Sequence, residues 1–84
     1  MSTHIGVIGI IIQDRAKAAP KVNRILTDFG SLIIARTGLP YKERGLSVIS
    51  LIVEASTDQI GALTGKLGML EAVKVKSLVV KPCV

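Results

Sequence analysis

The pair Asp14–Arg15 is the first place in the sequence where residue type and position suggest binding chemistry. The pair follows a short apolar segment and precedes a helical pattern, and the first N–H groups of a helix have no partner within the helix. Those groups can receive a carboxylate or phosphate, and an adjacent arginine can reinforce that contact. An ordinary helix cap beside a solvated arginine explains the same residues, so both interpretations stay open.

Two other groups of charged residues are weaker candidates. Arg36 and Thr37 end a predicted second strand and could line the rim of a groove between subunits, although a charged edge strand entering a hairpin is the simpler explanation. A basic stripe on the first predicted helix is typical of a solvated face, but nucleic acid is an alternative partner for it: Lys17, Lys21 and Arg24. The net charge of +5 is modest for a dedicated nucleic-acid binder, so nucleic acid is not the partner we expect.

Catalytic and metal chemistry find little support in the sequence. His4 is the only histidine and Cys83 the only cysteine, so one chain offers at most two good metal ligands and no recognisable nucleophile–histidine pair. The spacing Gly6-x-x-Gly9 falls inside a predicted strand, where close packing explains it better than phosphate binding. We therefore predict no metal, no cofactor and no enzymatic activity, with a small enzyme of the ferredoxin-like barrel type as an alternative.

The elements that would position these residues follow from the apolar spacing. Residues 5–13 are mostly β-branched and predict a strand, while residues 15–29 have apolar side chains at helical spacing and predict an amphipathic helix ended by Gly30. Pro20 lies inside this helix, so we expect either a distorted first turn or a helix that begins near Ala18.

The second half of the chain predicts a hairpin, a helix and a strand. Residues 31–38 and 45–55 are strand-like, and the short connection between them favours antiparallel pairing. Ser56 and Gln59 have the spacing of a capping box at the start of a second helix. Residues 72–81 predict a fourth strand. Close packing of the second helix is expected from its stripe of small residues: Gly61, Gly65 and Gly68.

An internal repeat organises these elements. Shifting the chain by 41 positions superposes apolar residues of one strand–helix–strand unit on those of another, for example Val7 on Val48 and Leu26 on Leu67. Two such units with right-handed crossovers interleave as βαββαβ, with an antiparallel sheet of order 4-1-3-2 and both helices on one face. The sequence thus predicts a single α+β domain over residues 1–84, a two-layer sandwich with the ferredoxin-like fold.

The second face of this sheet should be polar in a monomer, but it is not. Both predicted central strands have aliphatic residues on both sides, as Ile10 and Ile11 show in the first strand and Leu51 and Ile52 in the third. Each aliphatic side chain that is fully buried contributes about 1.5 to 3 kcal/mol. We therefore expect a homodimer or homotetramer formed through this sheet face.

Composition indicates the compartment of the protein and whether it associates with a membrane. A single cysteine, Cys83, excludes an intrachain disulfide and suits a reducing compartment. The apolar run over residues 5–12 is too short to cross a bilayer, and no basic residue precedes it as in a secretory signal. We expect a cytoplasmic protein that does not associate with a membrane.

Several segments of the chain resemble the small regulators of the iron-only hydrogenase system. The similar segments are residues 14–18, Val22–Asn23, residues 33–40, the I-G-A-L-T-G-K-L-G run at 60–68 and V-K-V-K at 73–76. The resemblance implies a stand-alone ACT-like domain, similar to the C-terminal domain of the nickel-responsive regulator. That regulator's His/Cys cluster has no counterpart here, so nickel sensing is not implied.

The resemblance also implies a site and a function. ACT-like domains bind small effectors, often amino acids, at subunit interfaces near the first strand-to-helix loop, which here contains Asp14, Arg15, Ala16 and Lys17. Many such loops have a glycine where Ala16 to Ala18 stand, which narrows the approach of a ligand to the backbone. We expect a non-enzymatic regulatory module with a small anionic or amino-acid effector. A subunit of a nucleic-acid-associated transcription regulator is the alternative.

Overall fold

Four strands and two helices make up the domain, and the computed structural model describes residues 3–81 of the 84-residue chain. In chain order the elements are β1 His4–Ile12, α1 Arg15–Asp28, β2 Ile33–Tyr41, β3 Leu46–Ala55, α2 Thr57–Gly68 and β4 Val73–Val80. Short 3₁₀ turns at Gly30–Leu32 and Lys42–Arg44 precede β2 and β3. The strands form one sheet of order β2-β3-β1-β4 in which every neighbouring pair is antiparallel. The predicted order 4-1-3-2 and the βαββαβ ferredoxin-like topology are confirmed.

The core lies between the helices and one face of the sheet. Alternate residues of the two central strands are buried, namely Ile8, Ile10 and Ile12 on β1 and Ile49, Leu51 and Val53 on β3. They form a single cluster with apolar residues of both helices: Ala18, Val22, Leu26, Ile60, Leu63 and Leu67. Since all of these side chains lie in one cluster, the other face of the sheet is left without helical cover.

Helix α1 begins at Arg15 because Asp14 caps it. The Asp14 carboxylate accepts a hydrogen bond from the Lys17 N–H at 3.3 Å, and the Asp14 carbonyl accepts one from the Ala18 N–H at 2.9 Å. The first turn is therefore hydrogen-bonded, and the alternative start near Ala18 is wrong. Pro20 lies within the helix and leaves the Ala16 carbonyl without the usual donor.

The end of α1 also differs from the prediction. The helix ends at Asp28, with Phe29 as its C-cap, and Gly30 begins the 3₁₀ turn that leads into β2. Among the described glycines only Gly45 has a positive φ, of 66°, so Gly30 does not end the helix in a left-handed conformation. Gly45 instead provides the sharp turn between the second 3₁₀ turn and β3.

Strand β2 is longer than its sequence pattern indicates. It runs to Tyr41 and includes Pro40, although residues 39–44 have the composition of a turn. Because β2 is an edge strand, it can accept a proline where the missing N–H would face solvent. A register shift between Ile33 and Ala35 marks a bulge, which leaves the Ile34 side chain largely exposed.

The glycines of the predicted packing motifs differ in their surroundings. A Cβ atom added at Gly6 would lie 3.0 Å from Val53 Cγ2 and 3.4 Å from Ile60 Cδ1, so close packing does explain this glycine. An added Cβ at Gly9 would meet no atom of the described chain within 4 Å, and close packing is wrong there. The same is true of the α2 glycines at positions 61, 65 and 68, which lie on the exposed side of the helix.

Helix α2 starts as its sequence predicts. The Gln59 N–H donates to Ser56 Oγ at 3.1 Å, and the Ser56 N–H donates to Gln59 Oε1 at 3.0 Å, which completes the capping box. Neither α1 nor α2, the helices within residues 3–81, has the length and apolar character needed to cross a bilayer.

Candidate functional site

A cleft of about 240 Å³ lies between α1 and the β2–β3 hairpin. The last residue of β1 and two buried or half-buried residues, Ala19 and Ile49, contribute apolar surface to it. The polar contribution comes from two arginines, an asparagine and a serine: Arg15, Arg36, Asn23 and Ser47. Its other lining residues are Gly38, Leu39, Pro40 and Val48. This is a small, partly apolar cleft that can hold a metabolite-sized ligand.

Arg36 reaches the cleft because of strand alternation. It pairs with Leu51, a residue buried beneath the helices, so its side chain lies on the helical side of the sheet. There its Nη2 donates a hydrogen bond of 2.6 Å to Asn23 Oδ1 on α1. The hydrogen bond holds one edge of the guanidinium group and leaves its other N–H groups available to a ligand.

Helical spacing brings Arg15 to the same cleft. Arg15, Ala19 and Asn23 are four residues apart and therefore lie along one side of α1. Arg15 lies in the first turn, where the N-terminal end of the helix dipole adds further positive potential. The lining residues include two guanidinium groups and no aspartate or glutamate. The arrangement favours a negatively charged ligand.

The other predicted site residues lie elsewhere. The Asp14 carboxylate caps α1, and Ala16 is exposed without lining the cleft. Lys17 borders a separate depression of about 60 Å³ that also contains Lys21 and Glu71. Thr37 pairs with the exposed Ser50 and so lies on the opposite face of the sheet from Arg36. Of the six predicted residues, the structure brings together Arg15 and Arg36.

Asn23 was not identified as a site residue by sequence reasoning, although a signal was present. The four-residue spacing of Arg15, Ala19 and Asn23 is visible in the sequence. What the sequence does not reveal is that this side of the helix faces Arg36 rather than solvent. That relation depends on how α1 packs over the sheet.

The second candidate surface is the uncovered face of the sheet, which we call the open face. The strand register arranges its residues in rows across β2, β3, β1 and β4. One row is wholly apolar and comprises Ala35, Ile52, Val7 and Leu78. The next comprises Thr37, Ser50, Gly9 and Lys76, and a third comprises Leu39, Val48, Ile11 and Lys74. A shallow hollow of about 300 Å³ lies around Gly9, and Lys74 and Lys76 lie on its border.

Metal-binding and nucleophilic side chains are few among residues 3–81. Residues 3–81 contain no cluster of three or more histidine, cysteine, aspartate or glutamate side chains that could hold an ion. His4 is partly buried at the start of β1, and its Nδ1 makes no hydrogen bond to the described residues. Cys83 lies outside the described residues.

The fold and the sheet order define the class of protein as an ACT-like ferredoxin-like domain. The sequence over residues 4–77 matches the family described as "TM1266-like: Iron-only hydrogenase system regulator, putative". The chain belongs to this family. No curated protein matches the sequence significantly.

Solved structures agree with this assignment. The TM1266 protein from Thermotoga maritima is 37% identical, with a TM-score of 0.90 over 94% of this chain and 99% of that one. The ACT domain from GTP pyrophosphokinase of Chlorobium tepidum is 19% identical, with a TM-score of 0.78 over 92% of this chain and all of that one. At that identity the second likeness concerns the fold alone.

Proposed function

We propose that the chain is a non-enzymatic regulatory module that forms a homodimer or homotetramer through the open face and binds a small anionic or amino-acid effector in the Arg15–Arg36 cleft. Membership of a family described as regulators supports the regulatory role. The observation that carries the proposal is the aliphatic surface of the open face, because it gives the domain a means of acting through assembly.

The open face exposes a row of neighbouring aliphatic side chains. Val7 and Ile52 on the central strands are 42% and 41% exposed, and Leu78 on β4 is 65% exposed. These three side chains are neighbours in one row across the sheet. A contiguous apolar patch of this kind is typical of an interaction surface, and no segment within residues 3–81 covers it.

A second copy of the chain suits this face. Two sheets pack face to face at about 10 Å when their facing side chains are aliphatic and of moderate size, as they are here. The charged residues Lys74 and Lys76 lie on edge strand β4, where their long side chains can reach water from the border of the contact. The central strands would form the middle of the interface, because Glu54 near the end of β3 is their only Asp, Glu, Lys or Arg residue.

The effector part of the proposal is supported by the Arg15–Arg36 cleft. It lies beside the connection from β1 to α1, the region that the family resemblance implies for effector binding. Its positive charge and its apolar lining suit a small organic anion.

Self-association is tested by placing a charge in the middle of the open face. We expect Ile52→Lys to give a monomer in sedimentation equilibrium at micromolar concentration, whereas the unmodified chain forms a dimer or tetramer. Burying an unpaired ammonium between two sheets opposes association strongly. Met69→Lys is the matched control, because Met69 is 87% exposed and lies just after α2, away from the sheet. An unmodified chain that is monomeric under the same conditions would refute the assembly.

A further inference from the structure

The charge pattern of the Arg15–Arg36 cleft restricts its ligand more narrowly than a general preference for anions. Two guanidinium groups line the cleft, and its lining residues include no carboxylate to receive an ammonium group. A free amino acid would therefore place its ammonium beside two positive charges with no opposite charge to balance it. We infer that the cleft takes a compact dianion, a phosphate monoester or a dicarboxylate, and excludes free amino acids. The inference rests on the effector site of the proposed function.

The arginines are placed to share such a dianion. Asn23 Oδ1 accepts the 2.6 Å hydrogen bond from Arg36 Nη2, which holds one edge of that guanidinium group at the cleft. The guanidinium can present its remaining N–H groups as a fork that matches two oxygens of a phosphate or carboxylate. Arg15 lines the same cleft from the first turn of α1 and supplies the second positive charge.

The lining of the cleft also limits the body of the ligand. Ile12, Ile49 and Ala19 give it an apolar portion, so a ligand gains by having an apolar group beside its charge. The volume of about 240 Å³ lies just below the usual range for ligand pockets, so a small ligand suits the cleft. A ring of the size of a phenyl group, with its anionic substituents, matches this space.

The other basic surfaces suit a dianion less well. The depression beside Lys17 and Lys21 contains Glu71, whose carboxylate opposes a bound anion, and its volume is only about 60 Å³. Lys74 and Lys76 border the hollow on the open face, which has no third polar side chain among its lining residues and belongs to the surface proposed for self-association. The cleft is thus the place where two cations, a positioning asparagine and an apolar wall occur together.

The test is a calorimetric titration of the full chain with probes that share one ring. Phenyl phosphate and phthalate are dianions, benzoate is a monoanion, and phenylalanine is a zwitterion. We expect a dianion to bind at least 10-fold more tightly than benzoate, because a second charge-assisted hydrogen-bonded pair contributes about that factor. Phenylalanine should show no measurable binding. The comparison of phenyl phosphate with phthalate identifies which dianion the cleft prefers.

Substitutions in the cleft test whether the dianion binds there. Arg15→Ala and Arg36→Ala should each weaken the preferred dianion about 10- to 100-fold, and Asn23→Asp should weaken it because the new carboxylate neutralises Arg36. Arg36→Lys keeps the charge but loses the fork, so an intermediate loss is expected. Arg24→Ala is the matched control, since Arg24 lies on the same helix but does not line the cleft. Circular dichroism checks that each variant is folded.

The outcomes distinguish failure of the dianion assignment from failure of the proposed function. Benzoate or phenylalanine binding as tightly as the dianions, with dependence on Arg15 and Arg36, would keep the effector site and overturn the dianion assignment. Dianion binding that neither arginine variant changes would also overturn the assignment, because the ligand would lie elsewhere. If none of the four probes binds, the dianion assignment and the effector site both fail, while self-association is unaffected.

Discussion

At the scale of single residues, neighbouring positions in this chain have opposite roles because strands alternate. Arg36 lies on the helical side of the sheet, where it meets Asn23, whereas Thr37 lies on the open face beside Ser50. Gly6 and Gly9 are separated in the same way, since an odd spacing along a strand changes the face. A sequence motif that treats such residues as one unit therefore combines groups that cannot act together.

The two β1 glycines give a matched stability prediction. Gly6→Ala should destabilise the fold by about 1 to 3 kcal/mol, because the new methyl group would overpack against Val53 and Ile60. Gly9→Ala should leave stability unchanged or raise it by up to about 1 kcal/mol, since alanine has less backbone entropy to lose and meets no atom of the described chain within 4 Å.

Chemical denaturation measures both variants in the Ile52→Lys background, because Gly9 lies on the open face and the proposed self-association would otherwise contribute to its effect. Each has one added methyl group in the same strand, so the difference between them isolates the close approach at Gly6. Equal midpoints for Gly6→Ala and Gly9→Ala would contradict the packing described for β1 and α2.

At the scale of elements, the N-terminus of α1 places Asp14 and Arg15 in different surroundings. The Asp14 carboxylate is used within the helix, where it accepts from the Lys17 N–H, while Arg15 lines the cleft. The cap and the candidate ligand contact are thus two roles divided between adjacent residues. The two interpretations of this pair that the sequence leaves open are compatible.

This division predicts that two adjacent substitutions have different effects. Asp14→Ala should lower the free energy of unfolding by about 1 kcal/mol through loss of the cap, and it should not weaken binding of the preferred dianion. Arg15→Ala should weaken that binding and change stability by less than about 0.5 kcal/mol, because Arg15 is exposed. Urea denaturation and calorimetric titration of both variants provide the comparison. Loss of dianion affinity in Asp14→Ala would show that the carboxylate acts in the site.

The edge strands illustrate how element context overrides local composition. Residues 39–41 have the composition of a turn, but they continue β2 because only one side of an edge strand needs hydrogen-bond donors.

Helix α2 shows the converse case, since its capping box forms as the sequence predicts while its glycines meet no neighbour. Local hydrogen bonds are specified by nearby residues, whereas packing partners are not.

At the scale of the whole molecule, the small size of the domain makes burial of the open face important for stability. A domain of 84 residues buries a limited fraction of its surface, so aliphatic side chains left on one sheet face are a large part of what remains available to stabilise it. Under the proposed assembly, folding and association become linked, because the assembled state is favoured by the burial of this face.

Linkage of folding and association makes the melting temperature depend on concentration. We expect the Tm of the unmodified chain to rise between about 2 and 200 µM protein in calorimetry, as mass action favours the assembled state. The Tm of Ile52→Lys should stay constant over the same range. A constant Tm for both chains would indicate that the open face does not contribute to assembly at these concentrations.

The sequence by itself determined the fold of this protein. The β-branched strands, the amphipathic helices, the repeat and the Ser56 capping box depend on residues close together in the chain, and chirality and short connections leave few topologies for them. The tertiary structure alone decided the composition of the cleft. Arg36 and Asn23 are 13 residues apart, and their contact depends on which side of α1 faces the sheet and on the register of β2. Periodicity identifies the buried side of each element, but only the packing of one element on another determines which polar residues meet at its border.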